Sequence, residues 1–151
     1  MLSKVISGGQ IGVDRAALDA AIDLGIDYGG FIPKGRRALD GRVPAKYEKM
    51  VEIESDKYPD RTLQNVLEAD ATLVYIDGGA TSMSRGTALT VRLCEEHNMP
   101  CIIAYAKKPF SVEQLANVSV LNCAGARGKK DGSDIYEDAY RFFLNVFEQL
   151  K

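Results

Sequence analysis

The segment Ser7-Gly8-Gly9-Gln10-Ile11-Gly12-Val13-Asp14-Arg15 follows the short apolar run Lys4-Val5-Ile6 and opens an alanine-rich helical pattern. Strand, glycine turn and helix in that order make an anion-binding device. The unpaired N–H groups of a helix's first turn and the positive end of its dipole attract a counter-charge, and glycines let a phosphate reach the backbone. A second turn, Asp77 to Thr87, repeats the arrangement with Gly78, Gly79 and Gly86 and the hydroxyls of Ser84 and Thr87 ahead of a helix. Ser84 or Thr87 is placed to cap that helix or to donate to an oxyanion. Arg85 can make a paired contact to a phosphate, and Asn122 and Arg127 bracket a third exit loop. The binding candidates are therefore Gly8, Gly9, Gln10, Gly12, Arg15, Lys34, Arg36, Gly78, Gly79, Ser84, Arg85, Gly86, Thr87 and Asn122.

Other chemistry is poorly represented. Ser7 stands where a dinucleotide fingerprint needs its first glycine. About 20 residues on, where NAD would need an acidic residue for the ribose, the chain has Pro33-Lys34-Gly35-Arg36-Arg37. No Walker loop and no serine, histidine and carboxylate set is present, so no catalytic residue is assigned. Cys94, Cys101 and Cys123 contain no C-x-x-C pair, and His97 has no spaced partner, so no metal ligands are assigned. A net charge of −2 argues against nucleic acid as partner, while cationic loops suit a small anionic ligand. No apolar run approaches the roughly 18 residues of a membrane span, and Met1 to Lys4 does not read as a leader, so a cytoplasmic protein is expected. Arg15, at a helix start where the dipole disfavours cations, calls for an anionic partner, either a ligand or a carboxylate such as Asp40.

The elements that must position these residues alternate. At 151 residues the chain fits one domain. A first helix is expected from about Asp14, its N-cap, to Leu24. Strands follow at Asp27 to Ile32 and Met50 to Ile53, separated by a long polar loop from Lys34 to Tyr47. Tyr58-Pro59-Asp60 reads as a break before a second helix, in which Thr62 is a cap or first-turn residue. Thr72 to Ile76 is a buried strand, Ala88 to His97 a helix, and Pro100 to Tyr105 a strand. Val112 to Leu115 is a short helical turn, and Val118 to Leu121 a strand leading into a turn at Asn122 to Gly125. The last helix presents Ile135, Ala139, Phe142, Phe143, Val146, Phe147 and Leu150 on one stripe, capped by Ser133 or Asp134. Apolar strands alternating with helices predict an α/β, three-layer, mostly parallel sandwich, with ligands beyond the strands' carboxyl ends.

Four blocks carry a family resemblance: Ser7-Gly8-Gly9-Gln10-x-Gly12-Val13-Asp14-Arg15-Ala16-Ala17-Leu18-Asp19, Pro33-Lys34-Gly35-Arg36-Arg37-Ala38-x-Asp40-Gly41, Arg61-Thr62-x-x-Asn65-Val66 and Gly86-Thr87-Ala88-Leu89-Thr90. Over nearly its whole length the chain resembles the "putative molybdenum carrier" family, the circularly permuted YpsA-like branch of the SLOG, lysine decarboxylase-like Rossmann superfamily. The resemblance implies a single-domain Rossmann-like fold with circularly permuted strand order that forms homo-oligomers. It also implies binding of the molybdenum cofactor, an anionic pterin with a phosphate tail, or of a related nucleotide, with molybdoenzymes as recipients. Ile11 stands where the family usually has threonine, Arg85 where glycine is common, and Ala126 replaces a proline before Arg127.

The phosphoribohydrolases of the same superfamily, which cleave nucleoside monophosphates, supply the enzyme alternative. Their motif P-G-G-x-G-T-x-x-E has its glutamate where this chain has Thr90, which favours holding over cutting. A nucleotide-sensing or interaction domain is the third reading.

Overall fold

The computed structural model describes residues 1–78, 83–129 and 131–151. Six strands form one parallel sheet: β1 (Lys4–Ile6), β2 (Asp27–Ile32), β5 (Met50–Glu52), β6 (Ala71–Ile76), β7 (Cys101–Tyr105) and β8 (Val120–Gly125). Their order is β5-β2-β1-β8-β6-β7, every pair parallel. The last strand in the chain thus sits in the middle of the sheet. Moving β8 and the helix after it to the front of the chain would make the order read 4-3-2-1-5-6, a doubly wound sheet, so the chain is a permuted Rossmann-like α/β fold.

Helices α1 (Val13–Asp23) and α4 (Ser133–Leu150) pack together on one face, and α2 (Tyr58–Glu68) and α3 (Arg85–Glu96) on the other. Alanines make the first layer thin. Ala16, Ala17, Ala20 and Ala21 are fully buried, which lets α1 lie close to the sheet and to the stripe of Ile135, Ala139, Phe143, Val146 and Phe147 on α4. Tyr75 of β6 meets the Phe142 ring at 4.9 Å between centroids, and Phe143 stacks on Phe147 at 5.4 Å. Burying such aromatic area is the main drive for the α4 face. β6 is buried at all six positions, as a strand covered on both faces must be.

Several boundaries differ from the sequence reading. α1 is capped by Gly12, at φ 86°, and Asp14 lies inside its first turn. Tyr58 and Pro59 begin α2 instead of preceding it, since proline's fixed φ suits a helix's first turn. α4 begins after Gly132, with no side-chain cap from Ser133 or Asp134; the Asp131 carboxylate accepts the Ser133 N–H at 3.0 Å. Asn122 to Gly125 is strand, not turn. Asn122 pairs with Ile6 on one side and Thr72 on the other, and ladders on both sides outweigh asparagine's turn preference.

The segment read as a long polar loop is folded. Lys34–Arg36 form a 3-10 turn, and β3 (Arg37–Ala38) pairs antiparallel with β4 (Gly41–Arg42). Val43 and Tyr47 turn inward to form a second apolar cluster with Leu18, Ile32 and Met50.

Candidate functional site

A cavity of about 690 Å³ opens beyond the carboxyl ends of β1 and β8, between the first turns of α2 and α3. The topology puts it there: β1 and β8 run on to helices on one face, β6 to a helix on the other, and the connections part between them. Its walls include Gly8, Gln10 and Asp14 from the β1 exit and α1, Tyr58, Arg61 and Asn65 from α2, Ser84, Arg85, Gly86 and Thr90 from α3, and Asn122 to Gly125 from β8.

Arg61 brings a buried, unpartnered donor to this cavity. Its Nε is sealed from solvent and has no hydrogen-bond partner among the described residues. None of the ion pairs among the described residues includes it. Nη1 donates to Thr62 Oγ1, which in turn donates to the Tyr58 carbonyl at 3.0 Å. The guanidinium lies 5.4 Å from the Tyr58 ring centroid, a cation–π contact. Burial lowers the Arg61 pKa, an effect the negative charge of Asp14 opposes. A buried donor left unpaired costs on the order of 1–3 kcal/mol, more for a charged group, so Arg61 is a costly residue to keep here on grounds of stability alone.

Asp14, 7% exposed, faces the same cavity. Burial raises its pKa to about 6, against the lowering effects of the Arg61 charge, the Gln10 N–H, the Arg15 charge and the Gly8 N–H. Oδ2 accepts the Gln10 N–H at 3.2 Å. Below the pair, burial and the Asp14 charge push the Cys123 thiol well above its ordinary value. A carboxyl with a displaced pKa beside an unpaired cation in a cleft is a signature of a functional site.

Of the residues picked from sequence, Gly8, Gln10, Ser84, Arg85, Gly86 and Asn122 line this cavity together with Arg127. Ser84 caps α3, accepting the Thr87 N–H at 3.2 Å, while Thr87 is buried behind it. Thr90 donates to the Gly86 carbonyl at 3.1 Å. Asn122 Nδ2 donates to Thr72 Oγ1 at 3.1 Å. Gly78 is exposed and outside the cavity wall, and Gly79 lies outside the described residues.

The first glycine turn is spent largely on the fold. The Val13 N–H donates to the Ala126 carbonyl at 3.1 Å, and a Cβ on Gly12 would lie 2.6 Å from the Arg127 carbonyl oxygen. The connection from β8 to α4 therefore occupies the place at the α1 N-terminus where a phosphate was expected. Gly9 packs against Ile32 and Val43. The Gln10 side-chain oxygen accepts from Ile11 and Leu39, tying the 34–47 segment to the turn. Arg15 donates from Nε to the Gly9 carbonyl at 3.0 Å and grips Asp40 with two bonds, so the carboxylate among its two expected partners is the one found. Arg36 donates to the carbonyls of Val43, Pro44 and Tyr47, and Lys34 is exposed away from the cavity.

Sequence reasoning placed Arg61 only within a family block and read Asp14 as a cap. Asn65 of the same block holds α2 to β2, accepting the Phe31 N–H at 2.8 Å and donating to its carbonyl at 3.0 Å. Among the described residues no three His, Cys, Asp or Glu side chains are grouped to hold a metal ion, and no helix is long and apolar enough to cross a membrane.

A parallel sheet with a cavity at its switch point defines a Rossmann-like α/β domain. The profile of the circularly permutated YpsA SLOG family matches residues 5–147, and the chain belongs to that family. A crystal structure of a "putative molybdenum carrier protein" from Syntrophus aciditrophicus SB is similar at 40% sequence identity and a TM-score of 0.82, covering 97% of this chain and 94% of that chain. The E-1-hydroxy-2-methyl-but-2-enyl-4-diphosphate reductase from Plasmodium falciparum is 14% identical, with a TM-score of 0.39 over 96% of this chain and 52% of that chain, too slight a likeness to carry an argument. No curated protein matches the sequence.

Proposed function

We propose that the protein carries a small anionic ligand, the molybdenum cofactor or a related phosphorylated nucleotide, in the cavity between α2, α3 and β8. The observation that carries this reading is Arg61 in the cavity wall, a buried cation outside every ion pair among the described residues, with its Nε unpartnered. Family membership and the 40% identical neighbour support a molybdenum carrier kind of role. The residues fit such a group. Arg61 would hold a phosphate or other oxoanion, and Ser84, Arg85, Gly86, Asn122 and Arg127 would meet the polar remainder. Tyr58, Leu89 and Ala124 offer apolar wall for a ring system. A volume of about 690 Å³ lies within the usual range for small-molecule sites.

When bound, the cofactor would bring its own oxo-metal chemistry; the side chains here hold and shield it. Delivery to molybdoenzymes in the cytoplasm, by a homo-oligomer, is the setting in which this function belongs.

Calorimetry with purified molybdenum cofactor and a nucleotide panel tests the proposal. Binding by at least one phosphorylated ligand is expected, weakened roughly 10- to 100-fold in Arg61→Met, the loss of one charge-assisted hydrogen bond. No binding across the panel, or unchanged affinity in Arg61→Met, overturns it.

A further inference from the structure

We propose that Asp14 and Arg61 form a proton-coupled anion receptor, in which an oxoanion docks on the Arg61 guanidinium and one proton from solvent is taken up by the Asp14 carboxylate. The inference rests on the ligand-carrying role proposed above and adds how that site captures and releases its ligand.

Asp14 and Arg61 share one cavity wall, opposite in charge, without closing an ion pair within 4.0 Å. In the ligand-free protein the carboxylate tempers the buried guanidinium through space. An arriving oxoanion adds its charge close to the buried carboxylate, and the two repel in a medium that screens them weakly. Protonating one of the two relieves that repulsion. A sulfate or molybdate dianion does not take the proton near neutrality, whereas the carboxyl can, because burial has already raised its pKa to about 6. Once protonated, Asp14 ceases to repel the ligand and gains an O–H that can donate toward it.

The surroundings leave Asp14 as the group that titrates. On its own helix, Arg15 is committed to Asp40. From the β1 exit, the N–H groups of Gly8 and Gln10 face the Asp14 carboxyl, while the Ser7 hydroxyl donates to its backbone carbonyl. From β8 it meets Cys123, whose thiol burial holds protonated. Arg61 faces it from α2, beside Tyr58, and Arg85 of α3 and Arg127 of the β8–α4 connection stand at the cavity wall. Among the described residues no lysine or histidine lines the cavity.

Proton linkage gives the size of the effect. Above the Asp14 pKa the dissociation constant rises about tenfold per pH unit, and below it the dependence flattens. Capture is favoured in a slightly acidic setting, and deprotonation drives release.

Calorimetry on the wild-type chain with sulfate and with dilute molybdate, neither of which titrates between about pH 6 and 8, reads this directly. Each titration is run in two buffers of different ionisation enthalpy. Uptake of about one proton per anion is expected at pH 8, falling toward one half near pH 6, with affinity weakening up to about a hundredfold across that range. Asp14→Asn should bind without proton uptake, with pH-independent affinity. Anion binding with no proton uptake and flat affinity overturns the receptor while leaving the carrier reading in place. If neither these probes nor any phosphorylated ligand binds at any pH, the carrier reading itself fails and takes the receptor with it. Because the proton count is measured on the unaltered protein, the test does not depend on the variant folding.

Discussion

Gly8 and Arg61 occupy each other's space: a Cβ built on Gly8 would lie 2.6 Å from Nε and 2.7 Å from Cζ of Arg61. The guanidinium lies against the backbone leaving β1, and only a residue without a side chain permits it. The glycine in the first turn thus admits an arginine to the sheet's carboxyl edge, where a phosphate was first expected to approach the backbone itself.

Gly8→Ala should therefore separate binding from folding. Gly8 is absent from the positive-φ positions, so alanine suits its backbone, and the clash is with the far end of a flexible side chain. Stability should change by no more than about 1 kcal/mol in urea denaturation, while anion affinity falls about tenfold or more as the guanidinium is pushed out of place. A variant that binds as tightly as the parent would show that Arg61 acts from some other position.

Arg61→Met should leave the fold as stable or raise its stability by about 1–2 kcal/mol, because a buried charge without an ion pair is replaced by an apolar chain of similar reach. It should also raise the Asp14 pKa above its value of about 6, since the Arg61 charge is the largest influence holding it down. Carbon-13 NMR titration of the aspartate carboxyls checks this. A lower Asp14 pKa in the variant would contradict the arrangement.

Arg15 and Asp40 form a two-pronged ion pair at 2.6 and 2.8 Å, with Asp40 39% exposed. A double-mutant cycle of Arg15→Ala and Asp40→Ala should give a coupling of no more than about 1 kcal/mol. The hydrogen bonds from Arg15 hold the Asp40 pKa below its ordinary value. The coupling is therefore fully present above the unfolded carboxyl's pKa, near 4, and is lost as pH falls through the lowered value. Anion affinity of Asp40→Ala should stay within about threefold of the parent; a distinctly tighter complex would mean that the freed Arg15 swings to the ligand.

Features encoded by near neighbours were legible in the sequence. The α4 stripe, the bounds of β2 and Ser84 as one of two candidate caps of α3 depend on periodicity or on residues three apart, and Asp40 was named as one of two partners for Arg15 from its charge alone. What escaped depends on contacts across the fold. Asn122 carries a turn residue's propensity, yet two flanking strands hold it extended. Arg36 looked like a free cation until the carbonyls of residues 43, 44 and 47 curled around it. Arg61 gains its role only because α2 crosses beside the β1 exit, some 50 residues earlier in the chain, and nothing local to Arg61-Thr62 announces that meeting.

Asp14→Asn carries the sharpest stability prediction. The Asp14 pKa is about 6 in the folded protein and near 4 in an unfolded chain, so the native state binds the proton more tightly. The stability this contributes is complete below about pH 4 and is lost as pH rises through 6, after which the folded protein carries a buried carboxylate at full cost. Asparagine keeps an oxygen for the Gln10 N–H and never ionises. The variant should match the parent near pH 4 and exceed it at pH 8 by up to about 3 kcal/mol, the free-energy equivalent of a two-unit shift. Thermal unfolding at both pH values reads the difference. A gap equal at the two pH values would mean that Asp14 does not titrate in this range, and a parent more stable than the variant at pH 8 would mean that the ionised carboxylate has a compensating partner. The expected gain comes at the same residue on which proton-coupled anion capture depends, so the variant should gain stability while losing the pH control of binding.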